Sequence, residues 1–100
     1  MDFVLNFTPA QTPPGKIADA EIVFTAGALA GLRLVGFAIW ERRGGNGRNV
    51  TYPARQYSVN GEKRSFALLR PVEGDTGKYA QENLRTAILD AFAQREEAAS

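Results

Sequence analysis

"LRLVGFAIW", Leu32 to Trp40, is the stretch on which the fold turns. It lies in a wider apolar run, Ile22 to Trp40, long enough to raise the question of a membrane span. Gly27, Gly31 and Gly36 interrupt that run, and Arg33 sits inside it. It therefore reads as two strands around a turn. In the second strand Leu32, Leu34, Ala38 and Trp40 share one face. Val35, Phe37 and Ile39 share the other with Arg33. A strand apolar on both sides is expected to be covered on both sides. A helix is one natural cover; a second sheet or a second subunit is the other.

Upstream, Lys16 to Phe24 alternates, with Ala18, Ala20, Ile22 and Phe24 on one face and Asp19 and Glu21 on the other. Thr25 to Gly31 is small and glycine-containing, and reads as the hairpin connection. Asp2 to Thr8 alternates in the same way through Phe3, Leu5 and Phe7, and "PAQTPPG", Pro9 to Gly15, is a loop. Downstream, Asn46-Gly47 signals a hairpin whose return strand is Asn49 to Ala54. Asn60-Gly61 offers a second tight turn, Arg64 to Leu69 a last short strand, and "EGDTGK" a loop. Tyr79 to Gln94 carries Ala80, Leu84, Ala87, Ile88, Ala91 and Phe92 at helical spacing. The expected class is α+β: an antiparallel sheet of about five strands, then a C-terminal amphipathic helix. The 100 residues make a single domain, residues 1–100, whose tail, 95–100, is expected to fray.

Composition excludes more than it assigns. Apolar residues are 44% and charged residues 23%, as in an ordinary soluble protein. There is no cysteine and no histidine, so thiolate chemistry, disulfides and the usual neutral-pH base are absent. Gly74-Asp75-Thr76-Gly77-Lys78 is too short for a phosphate-binding loop, and Tyr79 stands where Ser or Thr is needed. Nothing in their surroundings would make a catalytic pair of Glu73 and Asp75. The expectation is no enzyme, no cofactor, no metal and no small-molecule substrate. No signal-peptide pattern follows Met1, so a cytoplasmic protein without a membrane partner is expected.

Charge is where the chain departs from the ordinary. Residues 33–70 carry Arg33, Arg42, Arg43, Arg48, Arg55, Lys63, Arg64 and Arg70 against Glu41 and Glu62, a net of +6. Residues 1–32 net −2 and residues 71–100 net −3. Seven of those eight cations are arginine, whose planar fork suits bidentate phosphate contact and base stacking. Arg55 stands between Tyr52 and Tyr57. Arg42, Arg43, Arg48, Arg55, Lys63, Arg64 and Arg70 are the candidate nucleic-acid-binding residues. An acidic protein partner would suit the same forks, and is the alternative. Trp40, Phe66 and Leu68 read as core.

The order of features resembles the SpoVG family of small bacterial septation and sporulation regulators. The resemblance runs from about Lys16 to Phe92. It rests on "KIADAEIVF", "LRLVGFAIW", "GGNGRNV", "YPARQYSVNGEKRSFALLRPV" and "LRTAILDAF". Pro53-Ala54-Arg55, Gly61-Glu62-Lys63-Arg64 and Pro71-Val72 match elements of the family in that order. The resemblance implies a homodimeric regulator that binds DNA, RNA or both. The family's basic pair after the proline falls on Arg55 and Gln56, and its post-turn arginine on Arg64. Gln56 is not basic, and Ser65 stands where the family commonly has an acid. The segment before Pro71 is longer and the helix region acidic, which shifts the expected contact from helix to hairpin.

Overall fold

A computed structural model describes residues 2–45 and 47–99. Four strands form one antiparallel sheet in sequence order: β1 (Phe3–Pro9), β2 (Lys16–Phe24), β3 (Arg33–Glu41) and β4 (Arg48–Thr51). β5 (Ala54–Val59) and β6 (Glu62–Ala67) pair with each other as a separate two-stranded ribbon. One helical turn, α1 (Asp75–Lys78), precedes the long helix α2 (Ala80–Ala99). The class is α+β, as expected. The count is six strands in sheets of four and two.

The alternation in β1 and β2 does what period-two patterning dictates. Phe7 pairs with Ala20, which pairs with Phe37, all on the face that meets α2. Phe37, Ile39 and Ile88 are fully enclosed there, with Ala18, Ile22, Val50 and Phe92 around them. Phe7 and Phe92 meet edge to face, centroids 5.2 Å apart. Leu84, Ile88, Ala91 and Phe92 form the side of the helix that meets the sheet.

β3 corrects the expected division of faces. The register with β2 shifts between the Ala20–Phe37 and Ile22–Leu34 pairs, so Val35 and Gly36 form a bulge. Leu34 thereby joins Phe37 and Ile39 against the core, while Val35 stands 59% exposed on the opposite face. Gly36 sits at φ 109°, and a Cβ there would lie 3.2 Å from the Pro53 Cβ. Pro53, where the chain leaves β4, seats on the bulge. Helix α2 covers one face of the sheet. On the other face Val4 and Val35 are exposed, and among the described residues β5 and β6, expected within a single sheet, pair only with each other.

The helix continues to Ala99, past the expected end at Gln94. The added turn is held to the sheet: Arg95 Nη1 donates to the Phe7 carbonyl, and Glu96 receives both Nη groups of Arg48. Among the described residues no helix is long and apolar enough to cross a membrane.

Candidate nucleic-acid interface

The ribbon begins at a firm root. Tyr52 packs edge to face on Phe37, centroids 5.7 Å apart, and its hydroxyl donates to the Gln81 carbonyl of α2. Burial, reinforced by Glu82, raises the Tyr52 phenol above its usual pKa. Leu69 packs against the core on the return side, and the Leu68 N–H donates to the Pro53 carbonyl at 3.0 Å. Beyond this point neither β5 nor β6 contributes a residue to the core, and every residue of both strands is exposed. The turn at the tip is Asn60-Gly61, with φ of 51° and 82°. That is the mirror-image two-residue turn whose twist matches the strands.

This turn fixes the register, and the register sorts the side chains. Arg55 lies opposite Phe66, Tyr57 opposite Arg64, and Val59 opposite Glu62. All six share one face. Ala54, Gln56, Ser58, Lys63, Ser65 and Ala67 share the other. On the first face guanidiniums occupy one diagonal of a four-residue block and aromatic rings the other. Arg55, Tyr57 and Phe66 line a shallow hollow of about 390 Å³. The Arg70 guanidinium lies 5.0 Å from the centre of the Phe66 ring, a cation–π contact that brings a third arginine to this face. Tyr57 is 40% exposed and Phe66 47%. Phe66 and Leu68, expected in the core, are on the surface.

The candidate cations therefore do not all lie on one surface. Arg55, Arg64 and Arg70 come together on the ribbon. Lys63 is on the ribbon's other face, beside Gln56 and Ser58. Arg42 is exposed at the connection between β3 and β4, its backbone N–H bonded to the Gly47 carbonyl. Asn46 of the predicted turn there lies outside the described residues, as does the Arg43 side chain. This connection and the ribbon leave opposite ends of β4, roughly 13 Å apart along the strand. Arg48 is engaged inside the body. Its Nη2 donates to Glu96 Oε2 at 2.9 Å alongside the second bond of the fork, and its guanidinium lies over the Phe92 ring. The pair holds Glu96 below the usual glutamate range and Arg48 above the usual arginine value.

Ion pairing separates the remaining charges. Arg33 meets Glu21 and Arg64 meets Glu62, at 3.2 and 3.3 Å. The Arg64–Glu62 pair is open to solvent and exchanges easily with another anion. Among the described residues Arg55, Lys63 and Arg70 form no ion pair. The residues that sequence reading left out of the site are Tyr57 and Phe66, whose place beside the arginines follows from the turn-centred register.

No protein-family model, curated protein or solved structure matches this chain.

Proposed function

We propose that this chain is a small nucleic-acid-binding regulator, similar in kind to the SpoVG family, which acts as a homodimer and contacts nucleic acid through the β5–β6 ribbon. One observation carries the reading: Arg55, Arg64 and Arg70 stand with Tyr57 and Phe66 on one exposed ribbon face. Arginine forks fit phosphate oxygens, and exposed rings fit the faces of bases. Arg55, Tyr57, Arg64 and Phe66 lie on strands that add no residue to the described core. Arg48 is left out of the contact set, because it is already committed to Glu96. A homodimer would use the uncovered face of the four-stranded sheet, where Val4 and Val35 are exposed. Two copies would then present two ribbons, and linked weak contacts reinforce each other.

The test is binding at graded salt. Association should weaken steeply as salt rises, since each neutralised phosphate releases counterions. Replacing Arg55 and Arg64 together by Ala should lower affinity at least about a hundredfold, at two charge-assisted contacts of about 1.5–3 kcal/mol each. No binding at low salt, or binding unchanged by the double substitution, removes the reading. An acidic protein partner would engage the same forks, so competition by polyanions lacking bases separates the two. A nucleic acid should displace its own kind far better than a carboxylate polymer does. For the dimer, sedimentation should show a species of twice the chain mass that Val35→Glu converts to a monomer.

A further inference from the structure

We infer that the ribbon's arginine-aromatic face takes single-stranded nucleic acid in preference to duplex, with bases stacked on Tyr57 and Phe66 and phosphates held by Arg55 and Arg64. This rests on the nucleic-acid reading above and narrows it to one form of the polymer.

Two features of the ribbon favour the single strand. The first is where the charge lies. A two-stranded ribbon can enter the major groove of a duplex, but it reads base edges there with hydrogen-bonding side chains. The amide and hydroxyl groups that suit base edges, Gln56, Ser58 and Ser65, are on the face that carries one cation, Lys63. Three arginines are on the other face, the one with the rings. In a duplex the base faces are stacked on one another and hidden; only a single strand can offer phosphates and base faces together.

The second is the spacing. Tyr57 and Phe66 are diagonal neighbours across the strand pair, about 7–8 Å apart. Arg55 and Arg64 occupy the opposite diagonal of the same block. A strand crossing the block meets ring and guanidinium in alternation, and the hollow beside Arg55, Tyr57 and Phe66 leaves space for a planar group. Arg70, over the Phe66 ring, supports that ring while adding charge beside it. Two rings left in water on a ribbon without a core are a standing cost, which a stacked base relieves. Stacking on a ring and a fork on a phosphate, the two contacts invoked, single out neither one base nor the ribose hydroxyl. The shared chemistry is a phosphodiester with unstacked bases, from DNA or RNA.

The experiment measures anisotropy of labelled oligothymidylate, oligouridylate and a duplex of equal length at low salt, with wild type, Arg55→Ala/Arg64→Ala, Tyr57→Leu, Phe66→Leu and Phe66→Tyr proteins. Wild type should bind either single strand more tightly than the duplex, and the ratio of the two single strands tells DNA from RNA. Each leucine substitution should lower single-strand affinity roughly 5- to 150-fold, and Phe66→Tyr should restore it. A Tyr57→Trp variant should show indole quenching on binding the single strand, above the background of Trp40. If the arginine variant loses binding while both leucine variants keep it, or if duplex is preferred, the stacking inference is overturned and the nucleic-acid reading stands. If none of the three polymers binds wild type at low salt, the nucleic-acid reading itself falls.

Discussion

The four-stranded sheet with its helix and the β5–β6 ribbon use the same local geometry for opposite ends. In the sheet, antiparallel pairing places Phe7, Ala20 and Phe37 in one row, and α2 closes over them with Ile88 and Phe92. In the ribbon, pairing of equal regularity places Arg55 beside Phe66 and Tyr57 beside Arg64, and nothing closes over them. The radius of gyration, 15.0 Å against about 13 Å for a compact chain of this length, fits an element projecting from the body. An isolated two-stranded hairpin is marginal in water. This one persists through its turn, its ladder bonds and a root fastened by Tyr52 and Leu69. Hydrogen-bonded strands alone do not make a core, and a strand pair without one is available for contact with something else.

The sharpest way to break the comparison is to remove one side chain from each region. Phe92→Ala takes out a ring that packs on both Phe7 and the Arg48 guanidinium. It should cost about 3–5 kcal/mol, much of the 5–15 kcal/mol a domain of this size possesses. Arg55→Ala on the ribbon should leave global stability within about 0.5 kcal/mol. Urea unfolding of both variants gives the answer. Equal losses would mean the ribbon is part of the cooperative body.

How much of this was legible beforehand divides along the same line. The body announced itself through periodicity: alternation in β1 and β2, helical spacing in α2, glycine-rich connections between. What stayed hidden depends on distant partners. Gly36 signals a bulge, but the side to which Leu34 turns depends on the register with β2 and the seat of Pro53. Arg48 reads as a free loop cation until the helix brings Glu96 to it from 48 residues away. The helix end is hidden for the same reason, since Arg95 and Glu96 look like a fraying tail unless β1 and β4 are known to lie beneath them. In the ribbon the tip is readable from Asn60-Gly61, yet the alternation before it rests on Tyr57 and Val59 alone, too short a run to mark a strand. Phe66 and Leu68 do alternate, which is the signature of a half-buried strand. No local feature says that nothing lies above them. Counting outward from the turn would have paired Phe66 with Arg55 and exposed the site.

A smaller effect sharpens the comparison by disturbing the ribbon alone. Gly61 holds φ 82°, where a β-branched side chain is strained. Gly61→Val should cost about 1–2 kcal/mol, and the loss should be local. Hydrogen exchange should show amides of β5 and β6 losing protection while β2 and β3 keep theirs. It should also weaken single-strand binding without touching the four residues of the proposed contact block, because the register that aligns them loosens. Uniform loss of protection across both sheets would show that ribbon and body unfold together.

The smallest effect concerns the two ion pairs, one in each region. Arg48 and Glu96 meet through a two-bond fork, with side chains 36% and 45% exposed. Arg64 and Glu62 meet through one 3.3 Å contact, with side chains 54% and 72% exposed. The hydrogen bonds from Arg48 hold the Glu96 carboxyl below its usual range. A carboxyl depressed in the folded state stabilises that state above its unfolded pKa, about 4.3 for glutamate, and ceases to do so as pH falls through the lower folded value. Both partners are well exposed, so solvent screening limits the pair to about 0.2–1 kcal/mol. Glu96→Gln should therefore unfold at slightly lower urea than wild type near neutral pH. The two should converge as the pH drops below the ordinary glutamate range, where the wild-type carboxyl is protonated as well. Glu62→Gln, which alters the ribbon's exposed one-bond ion pair, should track wild type near neutral pH. Under the proposed function the difference bears on binding as well as stability. The body's arginine is already matched to a carboxylate by two bonds, whereas the ribbon's is held loosely enough for an incoming phosphate to replace Glu62. Glu62→Gln should then raise single-strand affinity slightly by removing the competitor, whereas Glu96→Gln should leave it unchanged.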